Sequence, residues 1–171
     1  MKNFHEDQVY ILWVLLAQTR HAIAKARKKA LRKYNMSTTQ AGTLFVIHAI
    51  GDKATPAKIS RWLFREPHSV SELLGRMEKK GLVKKVKDLD KKNQVRIMLT
   101  EKGRETYHHQ SINPEPLNRI MSSLSDEERR QLRSYLLILW DNTMKELGME
   151  QEMPFPLLGQ AVPFEQSDNK R

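Results

Sequence analysis

The side chains here whose number and spacing could do chemistry are the cations. Residues 53–104 carry fifteen Lys/Arg against six Asp/Glu, a net of +9, whereas residues 1–52 hold eight against three and residues 105–171 seven against eleven. Clustered ammonium and guanidinium groups attract phosphate, so this distribution points to a segment that binds a polyanion; the bland alternative is a solvated basic surface. Other chemistries lack their parts. With no cysteine there is no thiolate nucleophile, disulfide or Cys-ligated zinc. No glycine-rich phosphate loop and no paired nucleophile and base can be found, so the chain is not read as an enzyme. The six histidines are scattered. Glu105, His108 and His109 could begin a metal site, but no second ligand cluster completes it, so neither a metal nor a resident cofactor is expected.

The elements that must carry these cations follow from periodicity. No Gly or Pro interrupts residues 6–33, which read as one long helix whose first half, Val9 to Leu16, is apolar nearly all round. Such a helix needs two neighbours, and a partner subunit is the natural second one. Its basic end, Lys25, Arg27, Lys28, Lys29, Arg32 and Lys33, suits the negative end of the helix dipole and equally suits DNA. Ser37 with Gln40 can form a capping box for a second helix ending at Gly51. Thr55 and Pro56 open a short third helix, and Pro67 opens a fourth with Val70, Leu73, Leu74 and Met77 on one face and Gly81 as its stop. Alternation then replaces helical spacing at Leu82–Lys87 and Val95–Leu99, with a polar tip at residues 88–94, giving a β-hairpin. Two short helices followed by a basic hairpin make a winged helix-turn-helix. Pro114 and Pro116 must interrupt the helix that starts after Thr100. Ser125 and Glu128 cap a last helix to about residue 147, again apolar on more than one face.

The expected fold is therefore mainly α with a small β-hairpin wing. Residues 5–35 form an N-terminal dimerisation helix, 37–104 the winged helix-turn-helix lobe and 105–147 C-terminal dimerisation helices. Residues 148–171 form a Pro-containing tail that either docks or stays flexible. The longest apolar run, Val9 to Ala17, is half a membrane span, so no membrane association is expected. Absence of cysteine favours the cytoplasm.

The stretch from Thr55 to Arg104 carries Leu63, Ser69-Val70-Ser71, Leu73-Leu74, Lys80-Gly81-Leu82-Val83, a wing tip at Asp90, and Leu99-Thr100-Glu101-Lys102-Gly103. In these residues, and in the order long helix, winged helix-turn-helix, two long helices, the chain resembles the MarR family of transcriptional regulators over residues 5–147. The resemblance implies a homodimer on double-stranded DNA that represses by covering a promoter. It also implies release by a small effector, often an aromatic or phenolic anion, bound between the DNA-binding lobe and the dimer helices. A non-sensing architectural or RNA-binding winged-helix protein is the alternative.

In a winged helix the N-terminal end of the recognition helix meets base edges while the wing reaches phosphates or the minor groove. That nominates Pro67, His68, Ser69, Ser71 and Arg76 on the fourth helix, and Lys84, Lys85, Lys91, Lys92 and Arg96 on the wing. Ser69 could instead cap its helix. Glu72 could accept from a cytosine amino group or pair with Arg76 four residues on. A two-fold dimer spaces its recognition helices by roughly 34 Å, so the target should be an inverted repeat. Tyr10, Trp13, Arg20 and His21 of the first helix, with Phe45 and His48 of the second, would line the implied effector pocket, although core packing accounts for the aromatics equally well.

Overall fold

The computed structural model describes residues 4–87, 95–111 and 115–149. Lys91, Lys92 and most of the tail lie outside the described residues. The first helix, α1, runs Phe4–Leu31 and ends in a 3₁₀ turn at Arg32–Tyr34, where Asn35 turns left-handed (φ 51°). Then come α2 (Thr38–Ile50), α3 (Pro56–Leu63) and α4 (Pro67–Lys79), the strands β1 (Val83–Lys87) and β2 (Val95–Leu99), and α5 (Glu101–Ser111), α6 (Glu115–Met121) and α7 (Asp126–Glu146).

Local chemistry sets most of these boundaries. The Ser37 hydroxyl accepts from the Gln40 N–H, and the Gln40 carboxamide accepts in return from the Ser37 N–H, both at 3.1 Å. Ser125 and Glu128 repeat the device at the start of α7. Thr55 caps α3 through the Lys58 N–H, with Pro56 at the first helical position. The turn from α3 to α4 is less conventional. Phe64, not glycine, takes the left-handed conformation (φ 49°) that ends α3, a conformation that disfavours a bulky residue. Pro116 sits at the start of α6, where a missing N–H breaks no helical bond.

One apolar core unites the lobe. Leu44, Ile59, Val70, Leu74, Met77 and Ile97 are essentially inaccessible, and α2, α3, α4 and the hairpin each contribute to them. β1 and β2 pair antiparallel with Val83 opposite Leu99 and Lys87 opposite Val95. β2 is also tied to the segment before α3, because the Ile97 N–H donates to the Ala54 carbonyl at 2.8 Å.

The Leu-Thr-Glu-Lys-Gly segment closes the hairpin's base. The Thr100 hydroxyl donates to the Gly81 carbonyl (2.5 Å) and accepts from the Gly103 N–H (3.0 Å). The Lys102 ammonium donates to the Lys80 carbonyl (2.9 Å) and the Arg104 guanidinium to the Leu99 carbonyl (3.1 Å). A Cβ on Gly103 would stand 1.9 Å from the Leu82 carbonyl oxygen. The motif's glycine is thus required by close backbone approach.

Outside the lobe, α1 packs on α2 and α6. The chain supplies only part of the cover expected for α1, since Val9, Ile11, Leu12, Leu15 and Leu16 stay exposed. Leu136, Ile138 and Leu139 of α7 are exposed too. α7 meets the lobe through Trp140, which stacks parallel to Trp62 with centroids 6.4 Å apart and meets Phe64 edge-on at 5.5 Å.

Candidate nucleic-acid interface

The candidate interface is built on α4. Val70, Leu73, Leu74 and Met77 recur at helical spacing and are buried, so helical geometry turns Pro67, His68, Ser69, Ser71, Glu72 and Arg76 outward, and all six are exposed. The helix begins after Glu66, whose side chain makes no cap bond. Ser69 therefore lies inside the first turn and is not the cap that its residue type allowed. First-turn N–H groups have no carbonyl one turn back to receive them, so this end of α4 presents donors and a positive dipole to an anion.

Charge on this face is organised by Glu72. Its carboxylate lies 3.2 Å from His68 Nε2 and 3.6 Å from Arg76 Nη1. The pair with Arg76 is one of the two roles its sequence allowed; the His68 imidazole joins it, so one exposed acid restrains both side chains. Exposed pairs of this kind are worth at most about 1 kcal/mol, so either side chain can be drawn away by a phosphate or a base edge.

The wing's cations divide. Lys85 is turned back onto α4: its ammonium lies 3.1 Å from Glu78 Oε2 and its N–H donates to Glu78 Oε1 at 3.3 Å. This hydrogen bonding holds the Glu78 carboxyl below the usual carboxylate range. Lys84, its neighbour on the opposite face of β1, is exposed and has no ion pair among the described residues. Arg96 stands opposite Val86 and is half-buried. Lys87, exposed at the end of β1, was not among the residues that sequence reasoning selected. Its alternation with Lys85 was the available signal.

The residues nominated for an effector form two aromatic groups. Tyr10 and Trp13, both exposed on α1, have ring centroids 5.6 Å apart, and Arg20 and His21 are exposed further along that helix. On α2, Phe45 lies 6.5 Å from Tyr107, while His48 stacks on Tyr107 at 4.3 Å and meets His108 edge-on at 6.4 Å. Partial burial, and then repulsion from His108, lower the affinity of His48 for its proton. Tyr107 and His108 had not been connected to α2 from sequence, because only the packing of α5 on α2 brings them there. Among the described residues no group of three or more His, Asp or Glu is placed to hold a metal ion, and no helix is long and apolar enough to cross a membrane.

Comparison with known proteins places this architecture. The profile of the MarR family matches residues 34–92. The structure of the organohalide-sensing RdhR transcriptional regulator bound to 2,4-dichlorophenol is 36% identical, with 84% of this chain and 87% of that chain covered and a TM-score of 0.68. A MarR family protein from Bacillus stearothermophilus is 26% identical over 81% of this chain and 97% of its own, with a TM-score of 0.69. MepR of S. aureus in complex with DNA is 26% identical over 76% of this chain and 96% of its own, with a TM-score of 0.66. The comparison with curated protein sequences returns no match. A winged lobe with an outward polar recognition helix, long apolar flanking helices, and a regulator more than one-third identical along most of its length lead to one assignment: the chain belongs to the MarR family of transcriptional regulators, and is not an enzyme.

Proposed function

We propose that this protein is a cytoplasmic, dimeric repressor that binds an inverted-repeat operator in double-stranded DNA and is released by a small aromatic or phenolic anion. The observation that carries the DNA part is the division of α4 into a buried apolar face and an exposed face that bears His68, Ser69 and Ser71 at the helix start and Arg76 in its last turn. Ser69 and Ser71 reach base edges or phosphates; Arg76 contacts them one turn further along; Lys84 and the wing-tip lysines Lys91 and Lys92 engage phosphate. Lys85 and Arg96 contribute less, the first because Glu78 holds it, the second because it is half-buried. Two-fold symmetry supplies the second recognition helix.

The dimer reading is supported by α1 and α7, whose exposed leucines need a second copy to cover them. The effector reading is supported by RdhR with 2,4-dichlorophenol bound and by the cluster of Phe45, His48, Tyr107 and His108. In the dimer, Tyr10, Trp13, Arg20 and His21 would close the same pocket, with Arg20 balancing a phenolate.

Selection of genomic fragments by the purified protein, followed by titration of the best fragment and scrambled DNA at two salt concentrations, tests this function. A palindrome bound about a thousandfold more tightly than scrambled DNA, and released by chlorophenols, is the expected result. Uniform, steeply salt-dependent binding would instead make the protein an architectural binder.

A further inference from the structure

A second concentration of positive charge lies away from the base-reading end of α4. We propose that the junction of α1, α2, α4 and α5 is a binding site for a small polyanion carrying two or more phosphate-like groups. Two clefts, of about 390 and 530 Å³, meet there and share Asn35, Met36 and Lys80 as lining. This is the size range of small-molecule sites. Lys28 near the end of α1 and Arg32 in the 3₁₀ turn after it face the larger cleft; Lys79 and Lys102 face the smaller; neither is lined by a carboxylate. None of these five cations has an ion pair among the described residues.

Helix dipoles do not account for this accumulation. The C-terminal ends of α1 and α4 each offer roughly half a negative charge, while the start of α2, at Thr38, adds roughly half a positive one. Against five full cations these contributions leave most of the charge uncompensated. The Lys80 and Lys102 ammoniums donate to the carbonyls of Asn35 (3.1 Å) and Lys80 (2.9 Å), which holds them at the cleft without neutralising them. Asn35, Thr38, Gln40 and Thr106 add polar groups to the walls. A phenolate would bring one negative charge to a site with five positive ones, so a molecule with several charges fits better.

DNA bound at the front of the lobe is a poor match for this position. Pro67 and Lys79 lie at opposite ends of α4, and twelve residues of helix separate them by about 18 Å, so DNA centred on the Pro67–Ser71 end reaches no further along the helix than Arg76, which lines neither cleft. The walls instead come from the dimerisation helix, the recognition helix and α5 together, so an occupant would bridge the elements whose relative placement sets the recognition helix. This inference is independent of the phenol-release reading and uses none of its residues.

Calorimetric titration of the full-length protein with inorganic pyrophosphate, in about 0.15 M salt to screen diffuse attraction, tests it. The expected result is one saturable site per chain, bound at least tenfold more weakly by R32Q and by K80Q and unchanged in K84Q. R32Q serves as the second variant because the Arg32 side chain makes no hydrogen bond or ion pair among the described residues, and the bond its carbonyl accepts from the Asn35 N–H survives the substitution, whereas the Lys80 side chain holds the Asn35 carbonyl; circular dichroism checks that both fold. Absence of saturable binding, or equal weakening in K84Q, would overturn the proposal. A duplex titration of the same variants separates the remaining source of phosphate. If R32Q and K80Q weaken duplex binding as much as K84Q does, the cleft is a DNA-backbone surface and the small-polyanion site is overturned.

Discussion

The lobe and the two long terminal helices use similar leucines and isoleucines in opposite ways. In the lobe Leu44, Ile59, Leu74 and Ile97 are 0–1% exposed, whereas on α1 Leu12 and Leu16 are 66% and 48% exposed and on α7 Leu139 is 53% exposed. The lobe's short elements close around one another, each giving one apolar face to a common centre. The terminal helices are apolar on more than one side, and the chain covers only part of that surface. The lobe therefore closes its own core, whereas the helices keep apolar surface that the proposed dimer would cover.

The largest expected effect comes from charging the unfinished half. Leu12→Glu with Leu16→Glu should leave a folded lobe but abolish the dimer, since burying each leucine is worth about 1.5–3 kcal/mol and symmetry counts each loss twice. Sedimentation velocity should show a monomer with weak, non-palindromic DNA binding; a dimer of undiminished affinity would place the interface elsewhere. Leu74→Ala acts on the other side of the comparison. A cavity there should cost about 2–5 kcal/mol in chemical denaturation, with the lobe's transition moving first.

Gly103→Ala should cost about 1–3 kcal/mol, because the Leu82 carbonyl must retreat and the wing's base with it. Its signature is a loss of DNA affinity at undiminished dimerisation, which a defect in α1 would not give. Smallest is the pH dependence at His48. Its folded-state proton affinity is lowered, by partial burial first and then by His108, so the unfolded chain takes up the proton first as pH falls. Stability should therefore decline as pH drops below about 7 and level off once the folded form also protonates. Thermal melts of His48→Gln should show a flatter profile; an unchanged profile would assign the dependence to other groups.

Much of the lobe was legible because its signals are local. Ser37 with Gln40 and Thr55 with the Lys58 N–H satisfy backbone groups within one turn, Pro56 removes one that would stay unpaired, and each appears as read; outside the lobe, so do Ser125 and Glu128. The outward face of α4 followed from the spacing of Val70, Leu73, Leu74 and Met77. Legibility failed where partners come from distant elements. Nothing local to Lys85 shows that Glu78 will hold it, and nothing in α2 shows that His48 will stack on Tyr107.

The sequence by itself determined which segments are helical, where the hairpin begins, that the middle of the chain is basic, and that the two end helices carry more apolar surface than one neighbour can cover. These are properties of residue type and period, and they act within a few residues of themselves. Only the tertiary structure decided which cations stay free, that Glu78 holds Lys85, that Gly103 must pass the Leu82 carbonyl, and that five cations from separate segments converge on one junction. Hydrogen bonds, ion pairs and clefts depend on distances of a few ångströms between residues far apart in the chain, and those distances exist only once the helices have packed.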